Sequence, residues 1–389
     1  MRKKTILIFT GLYLPGYKGG GPIRTISNLV DNLSDDYDFK IITSDRDLGD
    51  SKPYKNVDIN QWNEVDKAQV YYIQSPVSYK KISDIIENTN YDILYLNSFF
   101  SPKFTILPLI VSKIRKINKP VILSPKGEFS PNALKLKSFK KEIFIKISNI
   151  LGIYSNIYWH ASTGDEKEQI KNFSIKYNYS IPDQRIKIAK DLPSKQLPVK
   201  NTAIEDNIDL KICFLSRISP MKNLDYALDV LSKIKISIIF NIYGPKEDLE
   251  YWEMCLRKIS KLPSNIVVNI QGIVKPDEVC GIISQNHLFF VPSRGENYGH
   301  VFFEALNSGT PIIVSDKTPW RNLESYNIGW DISLDHSKDF IKAIEKYSNM
   351  SLKERKIMSD NCIEYAKSLL SSNEDLMANL NLFNNVECK

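Results

Sequence analysis

The sequence predicts an α/β protein built around parallel sheets, and three observations support this fold class. Short apolar runs, typical of buried strands, alternate with segments whose apolar residues recur at helical spacing. Glycine-containing turns separate several of these strands from the helices that follow them. The chain has 389 residues, a length that suggests two domains of common size.

One segment near residue 300 shows this pattern most clearly. The apolar run 287–292 predicts a strand, Gly299 begins a predicted helix, and residues 311–315 predict the next strand. In such a unit the turn lies at the carboxyl end of a parallel sheet, where the start of the helix presents free N–H groups. Glu296 lies in this turn. Glu304 lies within the helix, either on its polar edge or where it can accept hydrogen bonds from ligand hydroxyls.

The composition, with 42% apolar and 25% charged residues, is ordinary for a soluble globular protein. Five scattered cysteines without a C-x-x-C pair predict neither a disulfide framework nor a zinc site. The first apolar run is too short for a signal peptide, and none reaches the roughly 18 residues that a membrane span needs. We therefore expect a protein of the reducing cytoplasm.

The positive charge is concentrated in the first half of the chain. Residues 1–200 contain 31 Lys and Arg against 20 Asp and Glu, whereas residues 201–389 contain 21 against 25. A basic half can face phosphates, an anionic membrane or nucleic acid. Because no nucleic-acid-binding motif accompanies the charge, we expect no nucleic-acid partner.

Residues 132–151 predict a basic amphipathic helix. Its apolar face contains Leu136, Phe139, Ile143, Ile147 and Ile150, and lysines at 135, 137, 140, 141 and 146 lie mostly on other faces. The helix can pack this apolar face on the core with a solvated basic face, or it can rest on anionic lipid headgroups. The two interpretations are compatible if the apolar face packs inward and only lysines touch lipid.

Strand ends in the first half present further candidates. Strands are predicted at residues 5–10, 39–43, 70–73, 93–97, 120–124 and 157–163, and helices at 79–89 and 104–118. Gly19, Gly20 and Gly21 follow the first strand and either let backbone approach a phosphate or form a flexible turn. Lys126 is either a partner for phosphate or an acidic acceptor group, or a surface lysine. His160, at a strand end, has a catalytic or a structural interpretation.

Asp45 and Asp47 follow the second predicted strand and match the short D-x-D pattern of metal-dependent transferases. Three-residue patterns arise by chance, so we favour a solvated turn.

The second half offers a cation pair at a strand end. Strands are predicted at residues 210–215, 238–243 and 266–271, and Gly272 follows the last of these. Arg217 and Lys222 follow the first strand, where they can grip a diphosphate or lie on the surface. The polar residues 194–208 predict a linker, and the segment near 373–386 predicts a terminal helix.

These motifs resemble the family 4 (group 1) retaining glycosyltransferases with the GT-B fold. Glu296 and Glu304 match the E-x7-E signature, and residues 216–223 resemble the Gly-Arg-x-x-x-x-Lys-(Gly/Asn) segment, with Ser216 in place of the common Gly. Lys126 stands where many members have a histidine. The resemblance implies two Rossmann-like, doubly wound domains facing a cleft. Residues 1–195 would bind the acceptor, residues 196–370 the nucleotide-sugar, and residues 371–389 would form a helix that crosses back.

The resemblance also implies roles for individual residues. Glu296, Arg217, Lys222 and Lys126 would form the catalytic group, and His160 would serve the acceptor. The donor would be bound by Gly19, Gly20, Gly21, Arg217, Lys222, Gly272, Asn297, Tyr298, Gly299 and Glu304. Of the two glutamates, Glu296 would contact the sugar and Glu304 the ribose hydroxyls.

The implied activity is the retaining transfer of a hexosyl or N-acetylhexosaminyl group from a UDP-sugar to a hydroxyl of a lipid-linked or oligosaccharide acceptor. No metal or other cofactor is expected. The implied setting is O-antigen or capsule biosynthesis at the inner face of the cell membrane, with an anionic membrane surface as partner of helix 132–151. A GT-B sugar-nucleotide epimerase and a non-catalytic sugar-nucleotide-binding subunit remain alternatives.

Overall fold

The structure is a computed structural model that describes residues 2–135, 138–205 and 209–387. The described chain divides into two units. The first contains the residues up to Leu192 together with those from Asn373 onward, and the second runs from Pro193 to Ser372.

The first unit is organised around an eight-stranded sheet. Its strands are β1 (Lys4–Phe9), β2 (Tyr37–Ser44), β3 (Trp62–Val65), β4 (Ala68–Ile73), β5 (Ile93–Asn97), β6 (Val121–Ser124), β7 (Tyr158–Ala161) and β8 (Ile186–Ile188). The spatial order is β3-β4-β2-β1-β5-β6-β7-β8. All neighbouring pairs are parallel except β3 and β4, which form an antiparallel hairpin at the edge.

Helices accompany this sheet, and apolar cores lie on both of its faces. The helices are α1 (Gly21–Leu33), α2 (Tyr79–Asn88), α3 (Leu107–Ile114), α4 (Pro131–Lys135), α5 (Ser138–Ile150) and α6 (Gly164–Tyr177). Ile6 and Ile8 of β1 belong to one core, whereas Leu7 and Phe9 belong to the other. Successive strand residues point to opposite faces, so a strand covered on both sides needs the continuous apolar run seen in the sequence.

The second unit contains a six-stranded, fully parallel sheet. Its strands are β9 (Leu210–Leu215), β10 (Ile238–Tyr243), β11 (Ile266–Gly272), β12 (Leu288–Val291), β13 (Ile312–Ser315) and β14 (Gly329–Ile332). Their spatial order is β11-β10-β9-β12-β13-β14. The helices are α7 (Leu224–Leu231), α8 (Leu249–Ile259), α9 (Val279–Ile283), α10 (His300–Asn307), α11 (Ser337–Ser348) and α12 (Leu352–Leu370).

The terminal helix α13 (Asn373–Asn384) packs on the first unit. The ring of Phe383 lies 5.5 Å from that of Tyr37 and 5.6 Å from that of Tyr95, measured between centroids. The side-chain amide of Asn379 donates to the Lys190 carbonyl at 2.9 Å. Aromatic contacts with β2 and β5 and a side-chain-to-backbone hydrogen bond to the segment after β8 therefore hold this helix against the first unit.

The basic helix packs with the opposite face from the one predicted. On α5, Phe139, Ile143, Ile147 and Ile150 are exposed, with 75, 45, 50 and 84% of their surfaces accessible. Ile145 and Ser148 are the buried residues instead. Leu136 and Lys137, which the sequence placed in this helix, lie outside the described residues. The prediction that the apolar stripe packs inward is therefore wrong, because the other side of the helix makes the contacts with the core.

Among the described residues, no helix has the length and apolar character needed to cross a bilayer.

Candidate functional site

The second unit has a topological switch point between β9 and β12. After β9 the chain adds β10 and β11 on one side, and it then returns to add β12, β13 and β14 on the other. Open α/β sheets bind ligands outside the carboxyl ends of the strands at such a point. The segments that leave this point are residues 216–223, after β9, and residues 292–299, after β12.

Asn223 fastens these two segments together. Its side-chain amide donates to the Pro292 carbonyl at 3.0 Å, and its Oδ1 accepts from Arg294 Nε at 2.9 Å. A backbone hydrogen bond from Arg294 to the Met221 carbonyl adds a third link at 2.8 Å. Asn223 has a φ of 63° immediately before α7, a conformation that glycine and asparagine tolerate best. Position 223 therefore needs a residue that adopts this left-handed conformation readily.

Lys222 and Glu296 meet where these segments touch. The Lys222 ammonium pairs with Oε1 of Glu296, and the Ser293 hydroxyl donates to the same oxygen at 2.8 Å. Their side chains are 14% and 11% exposed. Within the described residues Oε2 of Glu296 has no hydrogen-bond partner. Lys222 and Ser293 thus fix Glu296 through Oε1, and Oε2 remains available to another hydrogen-bond donor.

The turn between Glu296 and α10 is fixed by backbone geometry. Gly299 has a φ of 79°, and a Cβ there would lie 2.5 Å from the ring of Phe302, so a larger residue does not fit without movement. The indole N–H of Trp320 donates to the Tyr298 carbonyl at 2.6 Å. Asn297 and Tyr298 therefore lie in a turn that is fixed by the Trp320 hydrogen bond and by the close packing of Gly299 against Phe302.

Glu304 lies in α10, the helix that follows this turn, and is 5% exposed. Glu304 is the fifth of the eight residues of α10, and its burial distinguishes it from an ordinary solvated helix residue, so the polar-edge interpretation does not describe its environment.

Arg217 and Gly272 lie at neighbouring strand ends. Arg217 follows β9 and pairs with Oε1 of Glu247, after the adjacent strand β10, at 2.5 Å; both side chains are about one third exposed. Gly272 ends β11 with a φ of 86°, and no atom lies within 4 Å of the position a Cβ would take. Arg217 is thus engaged with Glu247 rather than with the Lys222 pair, and the backbone at Gly272 is open to approach.

The first unit also has a switch point, between β1 and β5, and the glycine-rich loop follows β1. Gly20 has a φ of 63° just before α1, and Gly21 begins that helix. A Cβ on Gly19 would lie 2.6 Å from Leu12 Cδ1. The glycines therefore serve a tight, defined turn.

Asp47 braces this loop. Its Oδ2 accepts backbone N–H bonds from Tyr17 at 2.8 Å and from Lys18 at 3.1 Å. Asp45 and Asp47 are 1% and 5% exposed, so the prediction of a solvated turn is wrong. Within the described residues, no group of three or more His, Cys, Asp or Glu side chains is placed to hold a metal ion.

Lys126 has only 18% of its side chain exposed and is paired with a buried carboxylate, which argues against the surface-lysine interpretation. Its ammonium lies 2.8 Å from Oδ1 of Asp191, whose Oδ2 accepts from the Thr25 hydroxyl at 2.9 Å. Burial acts to lower the pKa of Lys126, but the Asp191 carboxylate, together with Tyr95 and Glu166, holds that pKa above its ordinary value. The pair joins the turn after β6 to the segment after β8 and to α1.

His160 is 2% exposed, and both of its ring nitrogens have internal partners. Nδ1 lies 2.7 Å from the Tyr95 hydroxyl, and Nε2 lies 2.7 Å from the Ala189 carbonyl. A carbonyl only accepts, so Nε2 carries the proton and Nδ1 accepts from Tyr95. Burial, assisted by the charge of Lys126, lowers the pKa of His160 to about 4. This environment favours the structural interpretation of His160.

Sequence reasoning did not single out several residues that build these sites. Arg294 and Ser293 in the second unit and Glu166 in the first are examples. Glu166 is 1% exposed and accepts from the backbone N–H groups of Gly127 at 2.6 Å and Ser162 at 2.8 Å. Glu166 lies in the first turn of α6, but its contact with Gly127, in the turn after the neighbouring strand β6, is not specified by any local sequence pattern.

Comparison with known proteins finds a family match in the second unit and a shared fold along the chain. Residues 200–369 match the family described as glycosyl transferases group 1. HepE from Anabaena, solved in complex with UDP-glucose, is similar with a TM-score of 0.68 and 13% identity, covering 98% of this chain and 99% of that one. WaaG, a glycosyltransferase involved in lipopolysaccharide biosynthesis, is similar with a TM-score of 0.60 and 13% identity, covering 97% and 98%.

Residues 200–369 therefore carry the group 1 glycosyl transferase pattern that the motifs resemble, and the likeness along the whole chain confirms the predicted GT-B fold class. A curated relative is described as an uncharacterized 41.2 kDa protein in the cps region of Klebsiella pneumoniae. It is 24% identical over 294 residues, which cover 73% of this chain and 76% of the relative.

Proposed function

We propose that this protein transfers a sugar from a UDP-sugar to a hydroxyl of a lipid-linked or oligosaccharide acceptor, with retention of configuration. The observation that carries the proposal is the Lys222–Glu296 pair at the β9–β12 switch point, with one carboxylate oxygen unengaged among the described residues. A cation and a carboxylate held side by side suit a donor with an anionic diphosphate and a sugar rich in hydroxyls.

Lys222 would stabilise the leaving diphosphate. An ammonium has three donors, so Lys222 can keep Glu296 and still bind a phosphate oxygen. Negative charge grows on the diphosphate as its bond to the sugar breaks, and a nearby cation lowers the energy of that transition state. Arg217 would join it by exchanging Glu247 for phosphate, which the one-third exposure of both partners allows.

Glu296 would orient the donor sugar through Oε2, with the anchored backbone of Asn297, Tyr298 and Gly299 beside it. Glu304 would accept from the ribose hydroxyls, and the open backbone at Gly272 would face the base. In the first unit, the glycine turn at Gly19–Gly21 would let backbone approach a phosphate. UDP as the nucleotide is supported by the complex of HepE with UDP-glucose.

The proposed setting is capsule or O-antigen assembly on the cytoplasmic side of the membrane. The relative in a Klebsiella cps region and the WaaG likeness support it. No metal or other cofactor is proposed, so transfer should persist in EDTA.

The decisive experiment measures UDP release and the product together. UDP-sugars are first screened for thermal stabilisation, because a bound donor stabilises the folded state by mass action. UDP release that requires an acceptor, with a product whose anomeric configuration matches the donor by NMR, is expected. Acceptor-independent UDP release would favour the epimerase alternative, and UDP binding without turnover on any acceptor would favour a non-catalytic subunit.

A further inference from the structure

The exposed side of α5 is an unusual surface for a helix of an α/β unit. Phe139, Ile143, Ile147 and Ile150 follow one another at spacings of four, four and three residues, so they form one stripe. Their exposed fractions range from 45 to 84%, and Leu151 extends the stripe with 57%. We call these five residues the α5 apolar face. Single exposed apolar residues are common, but a contiguous stripe marks an interaction surface.

The α5 apolar face is widened by two neighbouring helices. At the end of α3, the Lys113 ammonium donates to the Leu151 carbonyl at 2.5 Å, and Ile114 beside it is 62% exposed. Near the end of α6, the Tyr177 carbonyl accepts from the Asn149 side-chain amide at 3.1 Å, and Ile175 is 79% exposed. These hydrogen bonds gather the carboxyl-terminal ends of three helices of the same unit at this surface.

The helix cannot bury this stripe by rolling, because its other side is already packed. Ile145 and Ser148 are buried, and the Ser148 hydroxyl lies 2.6 Å from that of Tyr179. Lys141 lies over the Phe100 ring at 4.9 Å and donates to the Ala133 carbonyl at 2.6 Å. The apolar face is therefore a fixed outward surface of the folded unit.

Lysines border the stripe. At about 100° per residue, Lys140 and Lys146 fall on opposite sides of the Phe139–Ile150 line. Both are exposed, and in the described part of the chain neither has an ion-pair partner. Glu142 is the single acidic residue between positions 138 and 151. An apolar stripe flanked by lysines matches the surface of a bilayer with anionic headgroups.

We propose that the α5 apolar face inserts into the headgroup region of an anionic membrane, with Lys140 and Lys146 on the lipid phosphates. A second copy of the chain is a poorer occupant, since a two-fold contact would bring the same lysines together from both copies. A lipid-linked acceptor would be met at this surface, and this part rests on the proposed function. The membrane contact itself does not depend on that function.

The test measures flotation of the purified full chain with vesicles. Wild type should bind equal mixtures of phosphatidylcholine and phosphatidylglycerol, bind poorly to phosphatidylcholine alone, and be released by salt. Ile143→Gln/Ile147→Gln should weaken partitioning by on the order of tenfold or more, because two apolar side chains no longer leave water. Lys140→Gln/Lys146→Gln should weaken it about fivefold per lysine.

Matched controls come from the second unit. Leu352→Gln/Ile357→Gln removes two exposed apolar side chains of α12, and Lys338→Gln/Lys342→Gln removes two exposed lysines of α11. Both controls should bind mixed vesicles like wild type. Circular dichroism and melting temperature should be unchanged in all four variants, because every substituted side chain is exposed.

Three results would overturn the inference. They are equal binding to neutral vesicles, unchanged binding of Ile143→Gln/Ile147→Gln, and a concentration-dependent dimer that this variant abolishes in the absence of vesicle binding. UDP calorimetry in solution is run beside each variant. Vesicle binding without UDP binding would refute the proposed donor site alone, and UDP binding without vesicle binding would refute the membrane surface alone.

Discussion

The two units each contain a lysine–carboxylate pair in turns that follow parallel strands, and their surroundings differ. Lys126–Asp191 in the first unit is closed, because Asp191 uses both oxygens on Lys126 and Thr25. Lys222–Glu296 in the second unit is open, because Lys222 and Ser293 share Oε1 and leave Oε2 without a partner among the described residues. The same two chemical groups therefore fasten the fold in one place and are available to a ligand in the other.

Substitution of the open pair should produce the largest effect. Lys222→Ala and Arg217→Ala should each lower turnover by roughly two to four orders of magnitude, because each removes a cation from the leaving diphosphate. Lys258→Ala, which removes only a surface ion pair with Asp229, is the control and should be near normal. Near-normal initial rates for Lys222→Ala would show that the Lys222–Glu296 pair, like the Lys126–Asp191 pair, only stabilises the fold.

Substitution of the closed pair should act on stability. Lys126→Met leaves the Asp191 carboxylate buried without its cation, which should lower the free energy of unfolding by about 3–5 kcal/mol. Lys126→Met/Asp191→Asn should recover part of that loss in urea titrations, since no uncompensated charge remains. If Lys126→Met instead keeps full stability and loses turnover while folded, Lys126 has the catalytic role that the family position implies.

The closed pair also predicts a pH dependence through its neighbour His160. The pKa of His160 is about 4 in the folded state and about 6.5 when unfolded, so the unfolded chain binds the extra proton first as pH falls. Stability is full above pH 6.5 and should decline by about 3 kcal/mol toward pH 4. His160→Gln should flatten this part of the stability curve relative to wild type. An unchanged slope between these pH values would mean that another group controls it.

The contrast between the pairs also marks what the sequence could predict. The predicted strands at 93–97, 210–215 and 238–243 coincide with β5, β9 and β10, because strands buried on both faces are continuous apolar runs. By contrast β14, Gly-Trp-Asp-Ile, has no such run and was not predicted. A Cβ on Gly329 would lie 2.0 Å from the Ile312 carbonyl oxygen, so this strand exists through close pairing with β13.

The candidate residues follow the same division. Glu296 and Lys222 were found because a short local motif carries them, and the fold then places them together. The environment of Lys126 depends on Asp191, 65 positions away, and no local pattern specifies that contact. The face by which α5 packs was mispredicted for a related reason: apolar periodicity identifies a stripe but does not tell whether the stripe meets the core or another surface.

The smallest effect should separate the two glutamates of the open site. Glu304 would bind ribose hydroxyls, which do not change during the reaction, so Glu304→Gln should weaken UDP binding by roughly tenfold, the value of a charged hydrogen bond. Glu296 would bind the sugar, so Glu296→Gln should leave UDP affinity nearly intact while it lowers transfer at saturating donor. Calorimetry with UDP and initial rates on the same preparations measure both quantities. Loss of UDP binding in Glu296→Gln but not in Glu304→Gln would reverse the two roles, and the open oxygen of Glu296 would then belong to the nucleotide rather than to the sugar.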